Sequence, residues 1–513
     1  MGRTLTLFVY KLQFFFGPAF RGRFGPLAYL ALILIFLPSG FGFGFGLGMT
    51  VKAADTPNGV GILAAPLAGL LSVGLLYSLG AGVTAHASEF DFFLTADIRP
   101  RQYLVADLLF QLISLLGAGG LAAGVAAVAM TVAMGQPVYA AVPLFGLLVV
   151  YEFFVLMTAQ VLVILRVRYP KAPVRLVTIA ILILSLLPSA GLANPAFPIR
   201  FAGLPIPATA FAALGLAVLQ GAAWPVVDVL LAIVWAGGIA LAWYVLSDTY
   251  IVHGLRPTMS AGFGQVDMGS RMEMQRHLTA RLGGVTTRVR FRPERGGDTS
   301  LMTRLHLVRI WRDGSFVYIA ILAIVVILSS GFGAGGASAT GAVPVTQILT
   351  LLMGILAMNW AFYERENLWI VLTTAKPPGA YFRGLMLSFA AVSLVATGGF
   401  IAFLSATRSV RLPIENLALP IAAPIASAFV ATALLTRIKV KPSAFSFAVL
   451  GIFFVVSLGG FMGGLAAQAA VVAARSVGVF AAEAQATVLV GFLLALTSFG
   501  LWIVTRLAAS FRL

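Results

Sequence analysis

Cysteine is missing from all 513 residues, which removes disulfides, thiolate nucleophiles and cysteine metal sites together. Histidine occurs four times, scattered, so no histidine metal cluster forms in the sequence. Charge is scarce as well: 10% of residues are charged, against about 25% in soluble domains. No lysine follows a glycine anywhere. A phosphate-binding loop needs Gly-Lys-Ser/Thr, so that lysine reaches the phosphates and a hydroxyl reaches magnesium. The chain therefore has no ATP-hydrolysing site of that kind. Gly331, Gly333 and Gly336 match GxGxxG, but they sit at the outer end of an apolar run with no strand before them, which excludes a dinucleotide site.

What is present is apolar: 60% of residues are hydrophobic and the mean hydropathy is +1.00. A bilayer crossing needs about 20 such residues, and its backbone must be helical because lipid offers no hydrogen-bond partners. The runs are continuous rather than alternating, which points to an all-α polytopic membrane protein and away from a barrel. The net charge of +17 orients the chain rather than marking a nucleic-acid binder. Of the 34 Lys and Arg residues, only Lys52, Arg200, Arg408, Arg411 and Arg475 fall in expected outer loops. The remainder face the cytoplasm and its anionic headgroups, and both termini are expected there. The N-terminus has bulky aromatics in place of a small-residue cleavage site, so no signal peptide is expected.

Residues 3 to 24 read as an amphipathic segment on the inner surface, aromatics toward lipid and basic residues, Lys11 among them, toward headgroups. Six spans are expected in residues 1–250, near 26–48, 61–85, 104–133, 139–165, 176–193 and 226–246. A Pro-rich outer stretch, 194–224, has room for a re-entrant or interfacial piece. Residues 251–303 form a basic cytoplasmic linker, and 304–513 hold six more spans, near 316–335, 345–363, 382–406, 416–436, 444–468 and 485–505.

The two halves repeat. One constant shift superimposes Leu94, Thr95, Pro100 and Tyr103 on Leu372, Thr373, Pro378 and Tyr381. A slightly different shift sets Ser39–Gly42 on Ser330–Gly333, both SGFG, and Phe20 and Arg21 on Trp311 and Arg312. Farther on, Arg166, Arg168 and Pro170 correspond to Arg437, Lys439 and Pro442. Six spans per half is an even number, so the expected twelve helices form two parallel six-helix repeats related by an axis along the membrane normal.

The polar segments 89–103 and 366–381 admit two readings. One is an ordinary inner loop with proline starting the next helix and tyrosine anchoring at the interface. The other is a docking element for a partner, ending before the proline; recurrence in both halves and the missing ATP site favour it. Inside the spans, Glu152 is an intramembrane acid, costly to leave charged, and is either functional or paired within the bundle. Gln160 and Asn359 are weaker candidates along a translocation path. The SGFG glycines read as close helix packing, with a flexible part of the pathway as the alternative.

The acidic-apolar stretch followed by Leu, a few residues, Pro and the next span resembles the coupling segment of ABC-2-type ABC exporter permeases. The aromatic-Arg segment before each first span and the basic loop between spans four and five resemble that family too, over most of the chain and in both halves. The resemblance implies an exporter permease without enzymatic activity, whose ATP and magnesium are bound by separate ATPase subunits, two in number. It implies that Glu89, Asp91, Phe92, Leu94, Thr95, Pro100 and Tyr103, with Glu366, Trp369, Leu372, Thr373, Pro378 and Tyr381, contact or shape the docking surface. Two departures stand out: Glu366 falls opposite Ser88 rather than Glu89, and two units are fused where the family usually pairs half-size chains. The expected setting is the plasma membrane, with a small-molecule, lipid or polymer substrate left open. The alternative is a 6+6 secondary transporter driven by an ion gradient, with Glu152 carrying the proton. A membrane-embedded transferase would need a cluster of acids or histidines at one membrane face, and no convincing one occurs.

Overall fold

The computed structural model describes residues 2–20, 25–80, 98–193, 199–248, 297–312, 346, 350, 353–354, 356–357, 360, 377–408, 414–437, 447–478 and 480–509. Among these residues the fold is all helical. They divide into two compact units, 2–248 in the first and 297–509 in the second.

The first unit opens with helix α1 (Gly2–Phe20), followed by α2 (Gly25–Ala53) and α3 (Thr56–Gly80). Pro100 starts α4 (Pro100–Leu115), and a π turn over Leu116–Gly120 carries the rod into α5 (Leu121–Met134). Then come α6 (Ala141–Arg168), α7 (Val174–Leu186), the short α8 (Ser189–Ala193), α9 (Pro207–Gln220) and α10 (Val226–Leu246). In the second unit α11 (Asp298–Arg312) begins inside the stretch read as linker. It is followed by α12 (Pro378–Arg408), α13 (Ile414–Leu435), α14 (Phe447–Ser476) and α15 (Ala482–Ala509).

Seven helices among the described residues are long and apolar enough to cross a membrane: Thr56–Leu76, Val138–Arg168, Val226–Leu246, Pro378–Gly399, Leu417–Leu435, Val455–Ser476 and Ala482–Ala509. The 14 residues of α9 rise about 21 Å, short of the roughly 30 Å hydrocarbon core. Most of its side chains are buried nonetheless, with Phe211 edge-on to Tyr151 of α6 at 5.1 Å. A short apolar helix thus lies in the Pro-rich stretch, enclosed by protein.

Small residues let helices approach. Side chains at Gly40 and Gly44 of α2 would run into the backbone of Ala122 and Ala126 on α5, whereas Gly42, two residues from each, faces open space. The first SGFG glycine is thus a packing residue, and Gly40-xxx-Gly44 forms one tight seam. On α13, Pro424 cannot donate the backbone bond that Pro420 would receive, and Thr397 of α12 donates to that carbonyl instead (3.4 Å).

Candidate functional site

The proline expectation holds in both units. Pro100 is the first residue of α4, behind Arg99 in extended backbone, and Pro378 is the first residue of α12. A proline there gives up a backbone donor that has no partner in the first turn anyway. The Gln102 side chain turns back to accept from the Arg99 amide (3.3 Å), so the helix start is held from both sides.

Three residues on, Tyr103 is buried, and around it lies a polar cluster. Lys11 of α1 donates to the Tyr103 hydroxyl (3.0 Å) and to Asp107 Oδ1 (3.2 Å). The ammonium also lies 4.5 Å from the Tyr103 ring centre and 5.7 Å from that of Phe110. Asp107 Oδ2 accepts from Gln111 Nε2 (2.6 Å) and from Gln160 Nε2 of α6 (3.0 Å). The other end of that glutamine, Oε1, accepts from the Trp243 indole of α10 (2.8 Å). Lys11 is 3% and Asp107 0% exposed, so this is an ion pair removed from solvent. Stripping water from both ions costs several kcal/mol each, and such a pair persists only where further hydrogen bonds complete it. Here a tyrosine and two amides do so, and one carboxylate joins four helices.

Lys11 therefore corrects the reading of the N-terminal segment. The helix forms as expected, and its outward side carries the exposed Leu5, Val9 and Tyr10. Lys11, however, points into the protein rather than to headgroups, because Asp107 there compensates its charge.

The second unit builds the counterpart from other groups. Tyr381 is buried, and its hydroxyl accepts from the Trp360 indole (3.0 Å). His306 of α11 stands edge-on to the same ring at 4.6 Å, with Phe382 at 5.3 Å. Gly384 of α12 lies so close to α11 that an added Cβ would sit 2.7 Å from the Thr303 nitrogen. Arg383 ties the same helices, donating to Thr299 (3.1 Å) and toward Thr505 of α15 (3.5 Å).

The sequence-derived residues separate accordingly. Tyr103 and Tyr381 are buried, so they can shape a docking surface from beneath but not contact a partner. Gln160, taken as lining a path, is fully buried with both amide ends engaged, and acts as a strut. Glu152 lies two turns away on α6 and is not part of the cluster; its Oε2 is buried with no hydrogen-bond partner among the described residues. Glu89, Asp91, Phe92, Leu94, Thr95, Asn359, Glu366, Trp369, Leu372 and Thr373 lie outside the described residues. Sequence reasoning passed over Lys11, Asp107, Trp243, His306 and Trp360. One signal was available: Asp107 and Gln111, four apart in the apolar run after Pro100, share a helix face and need a partner there.

Arg101, next to Pro100, adds a tie of another kind. Its guanidinium donates to the Ser247 hydroxyl (3.0 Å), the Tyr244 carbonyl (3.3 Å) and Asp248 (2.6 Å), and lies 4.1 Å from the centre of the Tyr244 ring. The start of α4 is thereby clasped to the end of α10. No family model matches this chain, and neither a curated protein nor a solved structure does.

Proposed function

We propose that this chain is the membrane-spanning permease of an ATP-driven exporter of the ABC-2 type, with twelve spans in two parallel six-span halves. ATP binding and hydrolysis belong to two separate ATPase subunits that push on segments 89–103 and 366–381. The observation that supports the reading most is the duplicated junction. In each unit the Pro-x-x-Tyr motif starts a long helix directly after the polar segment, and its tyrosine is buried beneath the helix that precedes the first expected span. A push on either segment would thus reach a bundle helix through a joint with a buried tyrosine. The missing Gly-Lys pair supplies the reason for an outside motor. The protein sits in the plasma membrane with its termini in the cytoplasm, and the cargo is a small molecule, lipid or polymer.

The test is transport in inside-out vesicles holding this chain and an ATPase encoded beside it. ATP-dependent transport that is lost when Phe92→Ala, Leu94→Ala and Leu372→Ala are combined supports the reading; normal coupling in that variant overturns it. A second reading, an ion-gradient-driven 6+6 transporter, draws on the buried and unpartnered Glu152 Oε2. Transport that ignores ATP, collapses with the proton gradient and stops in Glu152→Gln would establish it.

A further inference from the structure

The shift that superimposes the two Pro-x-x-Tyr motifs sets Asp107 against Leu385 and Gln111 against Phe389, and the shift that superimposes the aromatic-Arg pairs sets Lys11 against Met302. Met302, Leu385 and Phe389 are all buried, as Lys11, Asp107 and Gln111 are. Met302 also packs at the same level: it lies against Gly384, the counterpart of Ala106 beside Asp107. So the chain builds one joint twice, once around an ion pair and once from apolar side chains. In the second unit the three positions that correspond to Lys11, Asp107 and Gln111 are thus filled without an ion pair among them. An ion pair there is not needed for burial, and it carries a desolvation cost that the apolar version avoids.

What the ion pair adds is direction. Met, Leu and Phe surfaces specify an arrangement by shape alone, because dispersion contacts are many, weak and non-directional. Lys11 between Tyr103 and Asp107 has one satisfactory position, since turning or sliding α1 by a residue would leave a buried ammonium and a buried carboxylate apart. Gln160 and Trp243 extend that fixed geometry into α6 and α10. The inward stripe of α1, namely Thr4, Leu7, Phe8 and Lys11, is less exposed than Leu5, Val9 and Tyr10, as a single rotational setting requires.

We infer that the Lys11–Asp107 hub is a register lock: it fixes the rotation of α1 on α4, α6 and α10 so that these helices move as one body. Lys11 and Asp107 are positioning residues. Resting on the exporter reading, the inference extends to coupling: the hub makes the first unit a stiff lever.

The chain has no cysteine of its own, so single cysteines can be introduced along residues 4–13 and labelled in lipid nanodiscs. In the parent protein, labelling should follow the helical period, with Thr4, Leu7 and Phe8 protected and Tyr10 reactive. In Lys11→Met/Asp107→Leu/Gln111→Phe, which installs the second unit's residues, the protein is expected to remain folded while the periodic pattern flattens. A folded variant with the periodic pattern intact overturns the register lock. If that variant does not fold, Lys11→Gln takes its place: it keeps a donor for Asp107 but removes the charge, flattening is again expected, and a retained pattern again overturns the idea. This readout needs no ATPase, so it stands apart from the exporter reading. In vesicles with the ATPase, transport per ATP should fall in the hub variant while the ATP hydrolysis rate holds. Unchanged transport per ATP beside a flattened pattern would leave the lock standing and remove the stiff-lever role.

Discussion

The two units meet the same structural demand by different chemistry. Each must seat a tyrosine, three residues after a helix-starting proline, beneath a helix that precedes the first expected span. In the first unit Tyr103 shares Lys11 with Asp107, and the seat is an ion pair finished by amides. In the second, Tyr381 lies among His306, Trp360 and Phe382, and the seat is aromatic. The difference separates what the fold needs, a filled joint, from what is particular to one side, a joint with a preferred geometry. Buried charge is a poor way to gain stability and a good way to specify one arrangement.

The strongest test of this contrast removes one partner. Asp107→Leu copies the residue of the second unit, but it leaves Lys11 buried with its counter-ion gone and takes an acceptor from Gln111 and Gln160. A loss of about 3–5 kcal/mol is expected, read from unfolding of the purified protein in detergent. Adding Lys11→Met should recover most of it. If Asp107→Leu alone were as stable as the parent, the cluster would carry no energetic weight and the two units would not differ in kind.

How much of this was legible in the sequence follows from the range of the forces involved. Span positions and the proline helix starts depend on local composition and on backbone chemistry within a few residues, and α3, α4, α6, α10, α12, α13 and α15 lie where apolar runs and Pro100 or Pro378 place them. The short helix α9 was legible in part, because Pro-rich sequence between two spans signals a break without fixing what fills it. The cluster was not legible. Lys11 in an aromatic N-terminal stretch satisfies every rule for an interfacial helix, and only the fold, which brings residue 107 beside residue 11, reverses its direction. Gln160 was found as an intramembrane polar residue, but its partners Asp107 and Trp243 come from two other helices and were beyond the reach of local sequence.

A second test compares one position across the units. Gly384 lets α11 approach α12, with Met302 Cβ 2.5 Å from where a methyl would sit, whereas Ala106 at the corresponding place in the first unit is buried without difficulty. Gly384→Ala should therefore cost about 1–3 kcal/mol through overpacking, against the usual gain of alanine over glycine inside a helix. Thermal unfolding in detergent measures it. A stabilised Gly384→Ala protein would mean that α11 can retreat freely, and the aromatic seat would then be looser than its packing implies.

The smallest expected effect lies at the edge of each joint, where an arginine ties helix ends. Arg101 reaches Asp248 at 2.6 Å, but the two side chains are 32% and 65% exposed, so water and salt share the interaction. Pairs of this kind contribute about 0.2–1 kcal/mol. Arg383, by contrast, is partly buried and bonds the hydroxyls of Thr299 and Thr505, with no carboxylate partner among the described residues. Arg101→Ala should thus cost little, and its cost should shrink further as ionic strength rises and the Debye length falls below about 8 Å. The cost of Arg383→Ala should be nearly independent of salt, because neutral hydroxyl acceptors are not screened. Unfolding of both variants at low and high salt decides the matter. A salt-sensitive Arg383→Ala beside a salt-insensitive Arg101→Ala would reverse the assignment of charge to the first unit and packing to the second, and with it the basis for treating the two joints as different devices.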